Sequence, residues 1–171
     1  MKIILSMAMS LNGMIATIDG KEDFLSSGNW SSFTKKANDI GCIIWGRKTY
    51  DEVIKWEGNH LDLLKDVTKI IVSHSQIDLI EGFILAHSPE EAIKKLESRG
   101  FKEAIITGGS HMNTEFAKRN LIDEVILDVN PIFIGEGIPI FHNSDFEMKL
   151  KYIDSYKITD DILEIKYKVI K

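Results

Sequence analysis

The sequence predicts a three-layer α/β domain: a mixed, mainly parallel sheet, helices on both faces and a C-terminal antiparallel hairpin. Two observations carry this. Short apolar runs alternate with segments of helical period, which is the order of a sheet whose strands are buried on both sides. From residue 149 onward the pattern changes to strict apolar/polar alternation on either side of Thr159–Asp160–Asp161, a hairpin signal that places an antiparallel pair at one edge. The 171 residues contain no repeat, low-complexity tract or linker, and the three prolines and twelve glycines are scattered. One domain spanning residues 1–171 is expected.

Residues 2–10 (KIILSMAMS), 41–46 (GCIIWG), 69–73 (KIIVS), 83–86 (FILA), 103–107 (EAIIT) and 124–134 (EVILDVNPIFI) read as strands, being apolar and rich in Ile and Val. Residues 29–40, 49–56, 88–100 and 111–120 read as helices. The third helix is the best signalled: Ser88 as N-cap, Pro89 at the first position, Glu90 and Glu91 in the first turn, Gly100 at the end, and Ala92, Ile93 and Leu96 on one face. Residues 149–159 and 161–171 form the hairpin.

Bulk composition excludes several classes. Hydrophobic residues at 44% and charged residues at 27% are ordinary for a water-soluble globular chain. No apolar run reaches the ~18 residues that would cross a bilayer. The start, MKIILSMAMS, reads as a strand rather than a leader, so a cytoplasmic protein without membrane partners is expected. A net charge of −5 argues against nucleic acid as a partner, so any anion site must be local. The single cysteine, Cys42, lies inside an apolar run and is expected to be a small buried hydrophobe. The five histidines are dispersed and no metal cluster is expected.

Two junctions stand out. In CIIWGRKTYDEV a buried strand ends at Gly46, then Arg47, Lys48 and Thr49 open a helix. In EAIITGGSHMNTEF a strand runs through Gly108 and Gly109 into a helix that begins with Ser110 and His111. A glycine at a strand end lets backbone approach a ligand closely, and free N–H groups at a helix start favour a phosphate. Each junction alone also reads as a surface turn. Together they predict one ligand with two phosphates, although neither matches the Rossmann fingerprint or the Walker loop.

GRKTY resembles the cofactor-binding turn of dihydrofolate reductases, IIVSHS their adenosine-side strand end, and IITGGS their glycine-pair turn, in the same order. MSLNGMIA, the Trp30 and Ser32 pair, and LIDEVILDVNPIFIGEG resemble the reductase domain of bifunctional riboflavin-biosynthesis proteins, which shares that fold. The resemblance runs from residue 3 to about residue 141. It implies a dihydrofolate reductase-like fold, NADPH as cofactor, hydride transfer to a small-molecule substrate, and a homodimer built from sheet edges or strand extensions.

By that resemblance Gly46, Arg47, Lys48 and Thr49 hold the cofactor phosphates, and Ser73 and His74 lie near the adenosine and its 2′-phosphate. Gly108, Gly109, Ser110 and His111 close over the pyrophosphate, and Ala8 meets the nicotinamide amide through its backbone. Asn12 and Trp30 face the substrate; a helix-core role for Trp30 and a solvated loop position for Glu136 are the competing readings. The resemblance marks no catalytic side chain, because the cofactor carries the reactive atom. Three positions depart from the riboflavin-type pattern: Asn12 stands for Asp, Gly28 for Ser and Thr107 for Glu. Trp30 occupies the position, sixteen before Gly46, at which dihydrofolate reductases carry their pterin-binding acid. The expected activity is reduction of a small heterocyclic, imine or carbonyl compound, with the ribosylaminopyrimidine of riboflavin synthesis as the leading case. Dihydrofolate reduction and a non-catalytic NADP-binding module are the alternatives.

Overall fold

A computed structural model describes the chain except for residues 57 and 59. Among the described residues ten strands and four α-helices follow in the order β1 (Lys2–Ser10), β2 (Met14–Thr17), α1 (Ser27–Ile40), β3 (Cys42–Gly46), α2 (Arg47–Val53), β4 (Thr68–Val72), β5 (Phe83–Ala86), α3 (Pro89–Glu97), β6 (Glu103–Ile106), α4 (Ser110–Lys118), β7 (Glu124–Asn130), β8 (Gly137–Pro139), β9 (Lys149–Lys157) and β10 (Leu163–Ile170). Eight strands form one sheet in the order β5-β4-β3-β6-β1-β7-β10-β9. The six strands from β5 to β7 are parallel neighbours, and β10 and β9 add antiparallel at one edge.

Each central strand is apolar on both faces because each face is covered. Ile43, Trp45, Ile71 and Ile105 point toward Ala37 of α1 and Tyr50 and Val53 of α2. Ile44, Ile70, Val72 and Ile106 point the other way, onto Ala92 and Leu96 of α3 and Met112 and Phe116 of α4. The three layers and the C-terminal hairpin are as the sequence predicts. Cys42 is buried, and burial pushes its thiol up to about 12, as suits a packing residue rather than a nucleophile.

The differences are local and have physical causes. The strand expected over 124–134 ends at Asn130, whose side-chain amide turns back onto the carbonyls of Met9 and Asp128 before Pro131. The first helix begins at Ser27, two residues early, because Ser26 and Asn29 form a reciprocal cap. The second begins at Arg47, directly after Gly46, rather than near Thr49. The helix expected over 88–100 keeps its Ser88 cap but ends at Glu97. A two-stranded sheet of β2 and β8 is additional; its strands are too short for a period to be legible.

Candidate active site at the strand ends

The two glycine junctions are one structure. β3 and β6 are parallel neighbours, so their C-terminal ends fall side by side. The Gly46 N–H donates to the Gly108 carbonyl at 2.8 Å, joining the two turns directly. A Cβ at Gly46 would stand 3.2 Å from Met112 Cβ and 3.5 Å from both Gly108 O and Gly109 N. One at Gly109 would meet the Thr49 hydroxyl at 3.4 Å. Gly108 sits at φ +91°, where side chains other than glycine's are strained. Absence of side chains at three positions therefore creates a backbone-lined cradle where two strands end and α4 starts.

The polar groups around this cradle are partly uncommitted. Ser110 is 6% exposed and its Oγ is buried without a hydrogen-bond partner among the described residues. Lys48 is exposed. Arg47 pairs with Asp51 one turn on, through Nε to both carboxylate oxygens at 2.9 and 2.8 Å. Ser73 caps its own turn with Ser75, and His74 is exposed at the end of β4. His111 stacks on His142, ring centroids 4.2 Å apart. The Ser110 hydroxyl, without a partner among the described residues, and the backbone N–H groups of the glycine cradle have the donor chemistry that suits a phosphate group.

Next to the cradle along the sheet is the end of β1. Ala8 is half-buried, and its partner across the ladder on β7 is Asp128. Asp128 in turn faces Glu164 on β10. Lys36, from α1, bridges them: its Nζ lies 2.6 Å from Glu164 Oε2, 3.3 Å from Asp128 Oδ1 and 2.9 Å from Ser32 Oγ. The ions are removed from water, with Asp128 at 4% and Glu164 at 0% exposure. Burial, opposed by the Lys36 charge, pushes the Asp128 carboxyl up to about 6. For Glu164 burial acts upward too, but hydrogen bonds from Lys36 and Tyr156 and the charges of Lys36 and Lys166 outweigh it and hold the carboxyl below its ordinary value. Sequence reasoning missed this cluster. The one available signal was an aspartate inside the apolar run EVILDVN, a charge that a buried strand accepts only with a partner.

The two residues expected at the substrate are differently engaged. The Asn12 amide is tied to the segment after β7: Nδ2 donates to the Ile134 carbonyl at 2.8 Å, while Oδ1 accepts from the Ile134 N–H at 3.1 Å and from Ser10 Oγ at 2.8 Å. Trp30 packs edge-on to Trp56 and His60 and tilts against Phe33, on the α1 side that faces the α2 core, with its Nε1 buried and unpartnered among the described residues. Neither side chain shares the Lys36 cluster. Asn12→Asp is expected to cost about 1 kcal/mol, because a carboxylate cannot donate to the Ile134 carbonyl. Urea denaturation checks this; an unchanged midpoint would show that the tie contributes nothing.

Layers, sheet order and glycine-linked strand ends define a dihydrofolate reductase-like domain. The chain belongs to the family of the RibD C-terminal domain, whose family model it matches over residues 1–163. It is 28% identical over 177 aligned positions to the uncharacterized Bacillus subtilis protein YyaP, covering 97% of this chain and 94% of that one. Its fold matches dihydrofolate reductase from Enterococcus faecalis with a TM-score of 0.75 at 18% identity, covering 99% of this chain and 97% of the other. It also matches the diaminohydroxyphosphoribosylaminopyrimidine deaminase/5-amino-6-(5-phosphoribosylamino)uracil reductase from Thermotoga maritima with a TM-score of 0.76 at 16% identity, covering 99% of this chain and 56% of that longer one. Among the described residues no helix is long and apolar enough to cross a membrane, and no three or more His, Cys, Asp or Glu side chains are grouped so as to hold a metal ion.

Proposed function

We propose that this chain is an NADPH-dependent reductase of a small nitrogen heterocycle or an imine or carbonyl compound, of which the ribosylaminopyrimidine of riboflavin synthesis is the leading candidate. The observation that carries the reading is the joined cradle: two strand ends, linked from Gly46 to Gly108, with an orphaned Ser110 hydroxyl at the start of α4. When bound, NADPH supplies the hydride. Backbone N–H groups of the cradle, Thr49, Lys48 and the part of Arg47 not engaged by Asp51 would hold its phosphates, and Ser73 and His74 would serve the adenosine end. Ala8, in register with Asp128, would set the depth of the ring beside the Lys36 cluster.

The chain's own contribution is positional and electrostatic. Lys36 of α1 reaches over Asp128 and Glu164, which are shielded from water, on the face of the sheet that also carries the half-buried Ala8. Asp128 brings to that face a carboxyl, from the strand rather than from α1, where Trp30 replaces the expected acid. A substrate with amino or ring nitrogens suits such a neighbour, and the bulk of Trp30 disfavours a pterin held as in dihydrofolate reductases. The proposed homodimer would cover β9, an edge strand with Leu150, Tyr152, Ile153 and Tyr156 exposed.

Preference for NADPH over NADH is the first test. Lys48, His74 and Ser73 offer charge and donors to a 2′-phosphate, so isothermal titration should show at least about tenfold tighter binding of NADPH, equivalent to about 1.4 kcal/mol. Equal affinities would reject the assignment. NADPH oxidation with the ribosylaminopyrimidine, but not with dihydrofolate, separates the leading substrate from the alternative. Tight cofactor binding without turnover of either would favour a binding module.

A further inference from the structure

The stacked histidines carry an inference that rests on the cofactor reading above. His111 is the second residue of α4, one turn before Glu115, and His142 comes from the segment that follows β8. That segment is strapped to α4 by two hydrogen bonds of 2.8 Å, and a third inside the helix continues one of them. The Asn113 amide donates to the Ile140 carbonyl at 2.8 Å, the His142 N–H donates to Thr114 Oγ1 at 2.8 Å, and the same hydroxyl donates onward to the Ser110 carbonyl at 2.9 Å. Backbone, not side chain, holds the strap, so the His142 ring is free to serve another purpose. It lies flat on His111, with 29° between the planes.

The charges around the pair disfavour a second positive charge there. Burial first, then His142 and Lys48, press the His111 imidazole below its ordinary value; Glu115 alone acts the other way. Glu115 is itself paired with Arg119 at the far end of the helix. Two imidazoles at stacking distance with a lysine nearby cannot both be cationic cheaply, whereas an anion placed between them and Lys48 would reverse the balance. Ser110, whose carbonyl accepts from the same Thr114 hydroxyl that holds the His142 N–H, has a buried hydroxyl with no partner among the described residues, and this is the independent sign of a ligand at the helix start.

We propose that His142 is a cofactor-phosphate residue, forming with His111 and Lys48 a clamp that takes up a proton from solvent as the phosphate binds. The only covalent change is protonation of an imidazole nitrogen. Binding is then linked to pH: affinity rises as pH falls from about 8 to about 6, by at most about tenfold per pH unit for each proton taken up. The clamp makes cofactor retention tighter in mildly acidic conditions.

The test uses NADP+, which survives mild acid, with the full chain. Titration calorimetry at pH 7 in two buffers of different ionisation enthalpy gives the number of protons taken up; repetition at pH 6 and 8 gives the affinity slope. His142→Phe keeps a flat ring on His111 and leaves the backbone strap intact, and His111→Phe is the reciprocal variant. Because the 2′-phosphate itself titrates near pH 6, the quantity that counts is wild type minus variant. Expected are a proton uptake in wild type that falls in both variants, and affinities on the order of three- to tenfold apart at pH 6 that converge at pH 8. Binding of NADP+ with the same proton uptake in wild type and both variants overturns this inference alone. Failure of wild type to bind NADP+ at any pH overturns the cofactor reading and this inference with it.

Discussion

Lys36→Met is expected to lower the stability of the fold by about 3–5 kcal/mol, the scale on which removing one partner of a buried ion cluster strands the others. Asp128 and Glu164 face each other across neighbouring strands, and Lys36 is the cation that both contact. Lys166 approaches Glu164 Oε1 at 3.4 Å but does not reach Asp128 through any contact given by the structure. Methionine keeps the packing volume of the lysine stem and removes only the charge, so the measured loss reports electrostatics rather than a cavity. Denaturant melts at pH 7.5 give the value, and an unchanged midpoint would refute the reading.

The pH dependence of that loss has a definite sign. The folded-state value of Asp128 is raised to about 6 from an ordinary 3.8, so its contribution is fully present below 3.8 and is lost as pH rises through about 6. Glu164 acts oppositely: its folded value is lowered, so its contribution is present above its ordinary 4.5 and is lost as pH falls through the lower folded value. Without Lys36 both carboxyls hold protons more readily, and the gap between wild type and variant should narrow as pH falls from 7.5 toward 5. A gap independent of pH would mean that the loss is one of packing.

Gly46→Val is expected to remove most cofactor affinity while leaving a folded chain. Its Cβ would already be 3.2 Å from Met112 Cβ, and the γ-methyl groups must displace either Met112 or the Gly108–Gly109 backbone. The second displacement breaks the Gly46 to Gly108 hydrogen bond that joins the two turns. Overpacking of this kind costs about 1–3 kcal/mol in stability. The same displacement should weaken NADP+ by tenfold or more, since each factor of ten is about 1.4 kcal/mol. Affinity within a factor of two of wild type would show that the cradle is not where the dinucleotide sits.

The main architecture was legible because it depends on local pattern. The parallel core shows as unbroken apolar runs such as CIIW at 42–45 and IIV at 70–72, because both faces of the sheet are covered. The α3 start was legible because capping is a matter of a few adjacent residues, Ser88 and Pro89 among them. The cradle was legible because glycines at strand ends mark places where backbone must come close. The histidine stack and the charged cluster were not, since they depend on which distant residues meet.

The sequence by itself determined the layers, the order along the chain of the helices and the eight main-sheet strands, the antiparallel edge and the two glycine turns, because hydrophobic period and turn chemistry act over a few residues. Only the tertiary structure decided that Lys36, Asp128 and Glu164, separated by up to 128 positions, converge on one face. It alone showed that Asn12 is tied to Ile134, that Trp30 joins an aromatic cluster, and that His142 lies on His111. The charged cluster follows from the sheet order, which sets β7 beside β10, and the histidine stack from the strap to α4; neither leaves a trace in local periodicity, because the partners that decide them lie far apart in sequence.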